Sequence, residues 1–439
     1  MGEEKTNAIS EYLSLLRGNL LVIIVTWAFI QFARGIIATY YSKYVIGLGA
    51  PEIVPGLLQA LFTAIYAITA IIGGYVADQY GRKSIIVIST FFVAFSYLLY
   101  AIAPSWQWLI AAETTLALTS IYVPALQAMI ADSIPPEKRG KGYSLTYLAV
   151  YLAAAPSALV ALILVSQHGL IQGVRRIFIM ASTCALAAAT LRAFFLKETL
   201  QTKNNKTTKG LKEFLKETIT SYKHAVKSMK KDLVWLIVAY IILAFSYAAC
   251  TRYWILYSMD EIGVTAEQWA IVSFSYDIAY PLAMFLAGPI VDKIGRKRSW
   301  ILSRILLAAA TITYILTPTL TTITVPLPVG TITLQKHQML IIDFIALALA
   351  LGILGVAVSA LQADLIPREL RGKNHGNNIP INILLGSGTR EHLWRLHLPI
   401  PKQSNPIHSI PHTKPNIPSN NNSKSKRARN KGKITPNTQ

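Results

Sequence analysis

Gly74-Tyr-Val-Ala-Asp78-Gln-Tyr-Gly81-Arg82-Lys83 closes one long apolar segment, turns, and opens another. The same pattern, G-x-x-x-D-x-x-G-R-K, returns 214 residues later as Gly288-Pro-Ile-Val-Asp292-Lys-Ile-Gly295-Arg296-Lys297. Five matched positions in ten, twice in one chain, mark a tandem duplication. Each copy is expected to set its turn on the same side of whatever the apolar segments occupy. Gly74 and Gly288 are read as points where helices approach closely. Gly81 and Gly295 permit a tight turn at positive φ. Asp78 and Asp292 stand where a carboxylate can face a neighbouring helix N-terminus.

Working outward, 53% of the 439 residues are hydrophobic and 14% are charged, against about 25% charged in a soluble domain. The apolar residues come in runs of about 20, the length that carries a helix across about 30 Å of hydrocarbon. Ten such spans are predicted, at roughly 19–41, 53–77, 84–103, 106–130, 142–165, 175–196, 232–258, 267–291, 299–320 and 339–362. The polar N-terminus, Met1 to Arg17, shows no apolar core ending in a cleavage site, so no cleavable signal peptide is expected. Cys184 and Cys250 both lie in apolar runs and read as small core residues, with neither a disulfide framework nor metal spacing.

The formal net charge is +21. In a soluble domain this would suggest nucleic acid; here the cations sit in connections and a tail, and orientation in the membrane is the plainer reading. The connections after spans 2, 4, 6, 8 and 10 are basic, while those on the other side carry few cations. Basic loops stay in the cytoplasm, which places the N-terminus and both Gly-Arg-Lys turns there. A second repeat supports the first: Asp132-Ser-Ile-Pro-Pro-Glu137-Lys-Arg139-Gly140-Lys141 matches Asp364-Leu-Ile-Pro-Arg-Glu369-Leu-Arg371-Gly372-Lys373, 232 residues on. The long Thr- and Pro-rich connection from Thr319 to His337 absorbs the change in offset. Four parts are expected: six helices in 1–200, a linker in 201–231, four helices in 232–373 and a tail in 374–439. In the linker Leu211, Phe214, Leu215, Ile219, Tyr222, Val226 and Met229 recur at helical spacing among lysines, as in an amphipathic helix on the anionic inner leaflet. A calmodulin-type target would look similar.

The tail breaks the pattern. It holds eight prolines, eleven asparagines and five of the eight histidines, with no Tyr or Phe. It reads as basic and disordered. Either it is a tail for anionic lipid or nucleic acid, or the reading frame is lost near residue 374. The abruptness of the change, inside a duplicated unit, favours the lost frame.

Both Gly-Arg-Lys turns resemble the signature loops between helices 2 and 3 and helices 8 and 9 of the major facilitator superfamily. The D-x-I-P-x-E-x-R-G-K turns resemble that superfamily's loops after helices 4 and 10, and Phe195-Leu-Lys-Glu-Thr-Leu200 is similar to its helix 6 exit. The resemblance covers roughly residues 15–373. It implies an all-α membrane protein of two helix bundles around a central cavity, with helices 11 and 12 missing, that works by rocking-type alternating access. It also implies that Asp292 latches onto the start of helix 5 near Gly142 when the carrier faces outward. Asp78 would latch onto the start of a helix 11 that this chain lacks.

Charges inside the spans are the best functional pointers. Arg34 lies in span 1 and Glu113 in span 4; Arg252 lies in span 7 and Asp343 in span 10. The resemblance implies that helices 1, 4, 7 and 10 line the cavity. Each half then offers one cation and one acid, either as substrate contacts and proton-linked switches or as static ion pairs and snorkelling side chains. Asp277 sits near mid-membrane in span 8, with no basic neighbour in sequence; it is read as a proton carrier or as an acid bonded between helices. Arg192 and Arg304, near span ends, read as snorkelling. The cluster Tyr40, Tyr41, Tyr44, Tyr253, Trp254 and Tyr257 reads as a cavity lining or as an interfacial belt. Ala153-Ala-Ala-Pro156 faintly resembles a drug-antiporter motif. Those antiporters carry an arginine where Glu113 stands, eleven residues before Pro124, which argues against a standard proton-antiporting drug pump.

No nucleophile–base pair, metal cluster or phosphate-binding G-x-x-x-x-G-K-[ST] loop is present, so neither an enzyme nor a cofactor is expected. The expected function is secondary transport of a small organic solute, coupled to protons, by a monomer in the plasma membrane. The alternative is a non-transporting sensor or an inactive remnant. No nucleic-acid partner is expected.

Overall fold

The computed structural model describes residues 17–135, 139–200, 210, 213–216, 219–220, 231–319, 322–327 and 330–365. The tail 366–439 and most of the linker 201–231 therefore lie outside the described residues, and with them the expectations placed on those segments.

Ten helices among the described residues are long and apolar enough to cross a membrane. They are α1 (Gly18–Ala38), α2 (Val54–Tyr80), α3 (Arg82–Ile102) and α4 (Trp108–Ser133, with a 3-10 turn at Ser120–Tyr122). Next come α5 (Arg139–Ala154, restarting after Pro156 as Ser157–His168), α6 (Leu170–Phe195) and α7 (Lys231–Thr251). The series ends with α8 (Ala266–Ile294), α9 (Arg296–Leu316) and α10 (Lys336–Leu365). Large apolar side chains face outward along them, among them Phe92, Phe95 and Ile102 of α3 and Trp235 and Ile242 of α7. A helix with every backbone group bonded internally tolerates such exposure in hydrocarbon, and would not in water.

The two copies of the opening motif share one backbone geometry. Gly81 turns at φ 90°, ψ 145° between α2 and α3, and Gly295 at φ 93°, ψ 148° between α8 and α9. A side chain is strained at this positive φ, which explains why each turn carries glycine. Gly288 does not act as expected: a Cβ there meets nothing within 4 Å, so it is not a point of close approach. The tight crossing of α8 lies one turn and more away, where a Cβ on Gly352 of α10 would come 2.7 Å from the Cβ of Ala283.

Helices α1 to α6 pack on one another, with α6 against α1 and α3 and α2 against α4. Helices α8 and α9 pack on α10, and α8 also runs along both parts of α5. The long connection before α10 is an antiparallel hairpin, β1 (Thr322–Leu327) with β2 (Gly330–Gln335). Span 1 breaks at Thr39–Tyr40 and resumes as a short helix, Tyr41–Gly47. Span 7 ends at Thr251, shorter than expected, and a π-type turn follows at Tyr257–Ile262. Cys184 is half-buried but Cys250 is exposed on α7, so it is no core residue.

Candidate functional site

A cavity of about 310 Å³ opens where α1, α2, α4 and α5 meet α7, α8 and α10. That volume suits a small organic ligand. Four of the five substrate or proton candidates line it: Arg34, Glu113, Arg252 and Asp277. The break in span 1 matters here. It lets Tyr41 turn back under the cavity, where its hydroxyl donates to the buried Glu113 carboxylate at 2.6 Å. The face of the same ring carries Arg252, whose guanidinium carbon lies 4.9 Å from the ring centroid. Arg252 follows directly on the end of α7, and its Nε donates to Gln59 Oε1 on α2 at 2.7 Å. Gln59 was not singled out in the sequence, because a neutral amide in an apolar span carries no signal of its own.

Arg34 donates to Gln31 at 3.4 Å, and Tyr97 and Tyr151 line the cavity with it. Asp277 is half-buried on α8 and faces the cavity beside Ser273 and Tyr280. Tyr280 meets Tyr151 of α5 edge to face at 6.1 Å. Much of the remaining wall is aromatic and includes Tyr41, Tyr100, Phe178, Tyr247, Trp254, Trp269 and Phe344. The tyrosine cluster therefore divides: Tyr41 and Trp254 line the cavity, while Tyr44 is fully buried and donates to the Tyr100 carbonyl at 2.9 Å.

Asp343 does not join this group. It is buried between α10 and α9, where Thr313 Oγ1 donates to it at 2.5 Å and its second oxygen, Oδ2, has no hydrogen-bond partner among the described residues. The cation and acid expected to pair on helices 7 and 10 thus part company, because the end of α7 points Arg252 across to α2. Arg192 also departs from expectation. It does not snorkel; it is fully buried in the first six helices. Its Nε donates to Thr26 on α1 at 3.0 Å and its Nη1 to Thr90 on α3 at 2.7 Å. Its guanidinium also lies 5.6 Å from the Tyr122 ring centroid.

At the turn end of the molecule, two sequence motifs meet. Arg82 forms an ion pair with Asp132 and donates to Thr199 Oγ1 at 3.2 Å. Glu198, from the helix 6 exit, accepts the backbone N–H of Lys83 at 3.0 Å and of its own neighbours Thr199 and Leu200 at 2.9 and 3.0 Å. Burial pushes its carboxyl up. The N–H donors of Leu200, Lys83, Arg82 and Thr199 together outweigh that and leave it below its ordinary value. Asn19 clasps Lys197 through two 2.8 Å bonds. Phe214 of the linker lies 4.9 Å from Tyr75 of α2, ring to ring. Asp292 is exposed, with no hydrogen bond or ion pair among the described residues. The Asp78, Arg139 and Asp364 side chains and Glu137, Glu369 and Arg371 lie outside them.

The opposite end ties the first six helices to the rest. Thr265 and Gln268 form a capping box that starts α8. One turn on, Trp269 Nε1 donates to the Thr39 carbonyl at 3.0 Å, and Tyr40 Oη donates to the Ala266 carbonyl at 2.8 Å. Lys43 pairs with Asp260 of the π-type turn.

A family model described as Major Facilitator Superfamily matches residues 19–377. The chain belongs to the major facilitator superfamily. It is a multi-pass membrane protein of a family of carriers. Multidrug resistance protein 2 of Bacillus subtilis is 26% identical over 55% of this chain and 59% of its own length, so the chain spans less than two thirds of that relative. A PmrA multi-drug efflux pump homologue of Lactococcus lactis is 24% identical over 79% of this chain and 81% of its own. Among solved structures, a bacterial homologue of the human lysosomal transporter Spinster, inward-facing and unoccupied, aligns at TM-score 0.60 and 17% identity. It covers 84% of this chain and 78% of that one. The nucleoside transporter NupG aligns at TM-score 0.61 and 12% identity over 86% and 89% of the two chains. At these identities the likeness is one of fold.

Proposed function

We propose that this superfamily member is a secondary active transporter that carries a small organic solute through the cavity, driven by protons. Residues 1–200 and 232–373 would act as two bundles joined by the 201–231 linker, rocking about the cavity. The observation that carries the reading is the cavity itself. Four charged side chains converge on it within an aromatic wall, between two sets of helices tied together at one end. Asp277 is the proton carrier in this scheme, a carboxyl on the cavity wall near mid-membrane. The multidrug relatives support an organic cargo. A Planococcus maritimus Na(+), Li(+), K(+)/H(+) antiporter, 27% identical over 39% of this chain and 40% of its own length, supports proton exchange.

With the basic loops and N-terminus cytoplasmic, the tied end faces out and the molecule stands inward-facing in the plasma membrane. The exposed Asp292 agrees with a released latch. On this scheme Gly74, Asp78, Gly81, Arg82 and Lys83 form one half of the gate, and Gly288, Asp292, Gly295, Arg296 and Lys297 the other.

Reconstitution into proteoliposomes with an imposed pH gradient tests the reading. Asp277→Asn should abolish gradient-driven flux and leave solute binding in place. Unchanged flux would remove Asp277 from the coupling role, and no movement of any solute in a broad panel would leave the remnant reading standing.

A further inference from the structure

Arg252 holds a cation against the cavity with a weak partner. Its Nε donates to Gln59 Oε1 at 2.7 Å, its Nη2 donates to the same oxygen, and it makes no ion pair among the described residues. An amide oxygen is neutral. Charge-assisted bonds to a carboxylate are roughly twice as strong as bonds with a neutral partner, and the planar guanidinium fork matches a carboxylate's two oxygens. Glu113, an acid on the same wall, is buried and already accepts the Tyr41 hydroxyl. Tyr41 also supports the guanidinium from below, which keeps it facing the cavity.

Beside Arg252 the rings of Trp254, Trp269 and Phe344 stand edge to face, with Phe344 5.4 Å from Trp254 and 5.5 Å from Trp269. Such a corner receives a flat aromatic body. We infer that the cavity selects aromatic organic anions, with Arg252 exchanging the Gln59 amide for the carboxylate of the solute. Gln59 belongs to the first set of helices and Arg252 to the second, so the exchange also removes one of the ties at the closed end. The inference takes from the transport reading the idea that the cavity is a solute site, and it stands or falls on binding rather than on flux.

The experiment is calorimetric titration of the purified full chain with three probes of one shape: 3-phenylpropionate, 3-phenylpropanamide and 3-phenylpropylamine. The acid should bind about tenfold more tightly than the amide, and the amine more weakly than either. Arg252→Gln should erase the preference for the acid while leaving the amide within about twofold, and Arg252→Lys should keep part of it. Gln59→Ala should tighten the acid, because the competing acceptor is gone. Thermal melting of each variant confirms that it is folded. Equal loss of acid and amide in a folded Arg252→Gln would make Arg252 a tie between helices only and overturn the inference. So would an amine that binds as well as the acid, or no binding of the acid. Flux of the same probes separates the two readings. Acid that binds without moving sinks transport and leaves the anion site, whereas amine that moves while acid does not bind does the reverse.

Discussion

Arg192 carries a guanidinium into the middle of α1, α3 and α6 with two threonine hydroxyls and one tyrosine ring for company. Both threonines still donate to backbone carbonyls of their own helices, Thr26 to Val22 at 2.8 Å and Thr90 to Ile86. Removing the cation therefore orphans no donor. Arg192→Met, which fills the space without a buried charge, is expected to melt within about 1 kcal/mol of the native chain. Arg192→Ala, which leaves a void, is expected to cost about 2–4 kcal/mol. Thermal unfolding in detergent checks the pair; equal losses would show the charge itself to be needed. Linear position near the end of span 6 suggests snorkelling, but which face of α6 turns inward depends on α1 and α3, and no single span records that. Arg34, Glu113 and Asp277 were legible because a charge in hydrocarbon is costly wherever it points. Gln59 was not, for want of that cost.

The two turns at Gly81 and Gly295 separate backbone strain from crowding. Their φ and ψ agree within a few degrees, yet a Cβ on Gly81 would come 2.8 Å from Glu198 Oε2 while one on Gly295 meets nothing. Gly295→Ala should cost roughly 1–3 kcal/mol from strain alone, and Gly81→Ala should lower the melting temperature further, since it also disturbs the Glu198 bonds. Glu198 adds a pH signature. Its folded carboxyl lies below its ordinary value, so its bonds add stability above the unfolded value of about 4.3, and that contribution is lost as pH falls through the lower folded value. Glu198→Gln should be less stable at neutral pH and show a shallower decline on acidification through this window. Parallel curves for variant and native chain would contradict the assignment. At this scale the Gly81 and Gly295 turns were readable, since glycine at a fixed place in each is a backbone requirement, whereas the close approach expected at Gly288 was not met. The hairpin was half readable: Thr322-Ile323-Thr324-Val325 and Thr331-Ile332-Thr333-Leu334 alternate as strands do, but hydropathy over a span-length window hides so short a pattern.

For the whole molecule, ten helices and their pairing by duplication follow from apolar run length and motif spacing. Which end is tied does not, because two of the ties run to the backbone carbonyls of Thr39 and Ala266, which any residue could supply, and the side-chain ties at Lys43 and Gln59 join residues far apart in sequence. On the proposed scheme, solute crosses only when the two sets of helices part at that end. Cysteines at Lys43 and Asp260, in a chain with Cys184→Ser and Cys250→Ser, place a cross-link where the ion pair joins the sets. The measurement is pH-gradient-driven solute flux in proteoliposomes carrying this variant, before and after oxidation. Flux is expected in the reduced protein, lost on oxidation and restored on reduction; flux that persists through the cross-link would show that the sets need not part there.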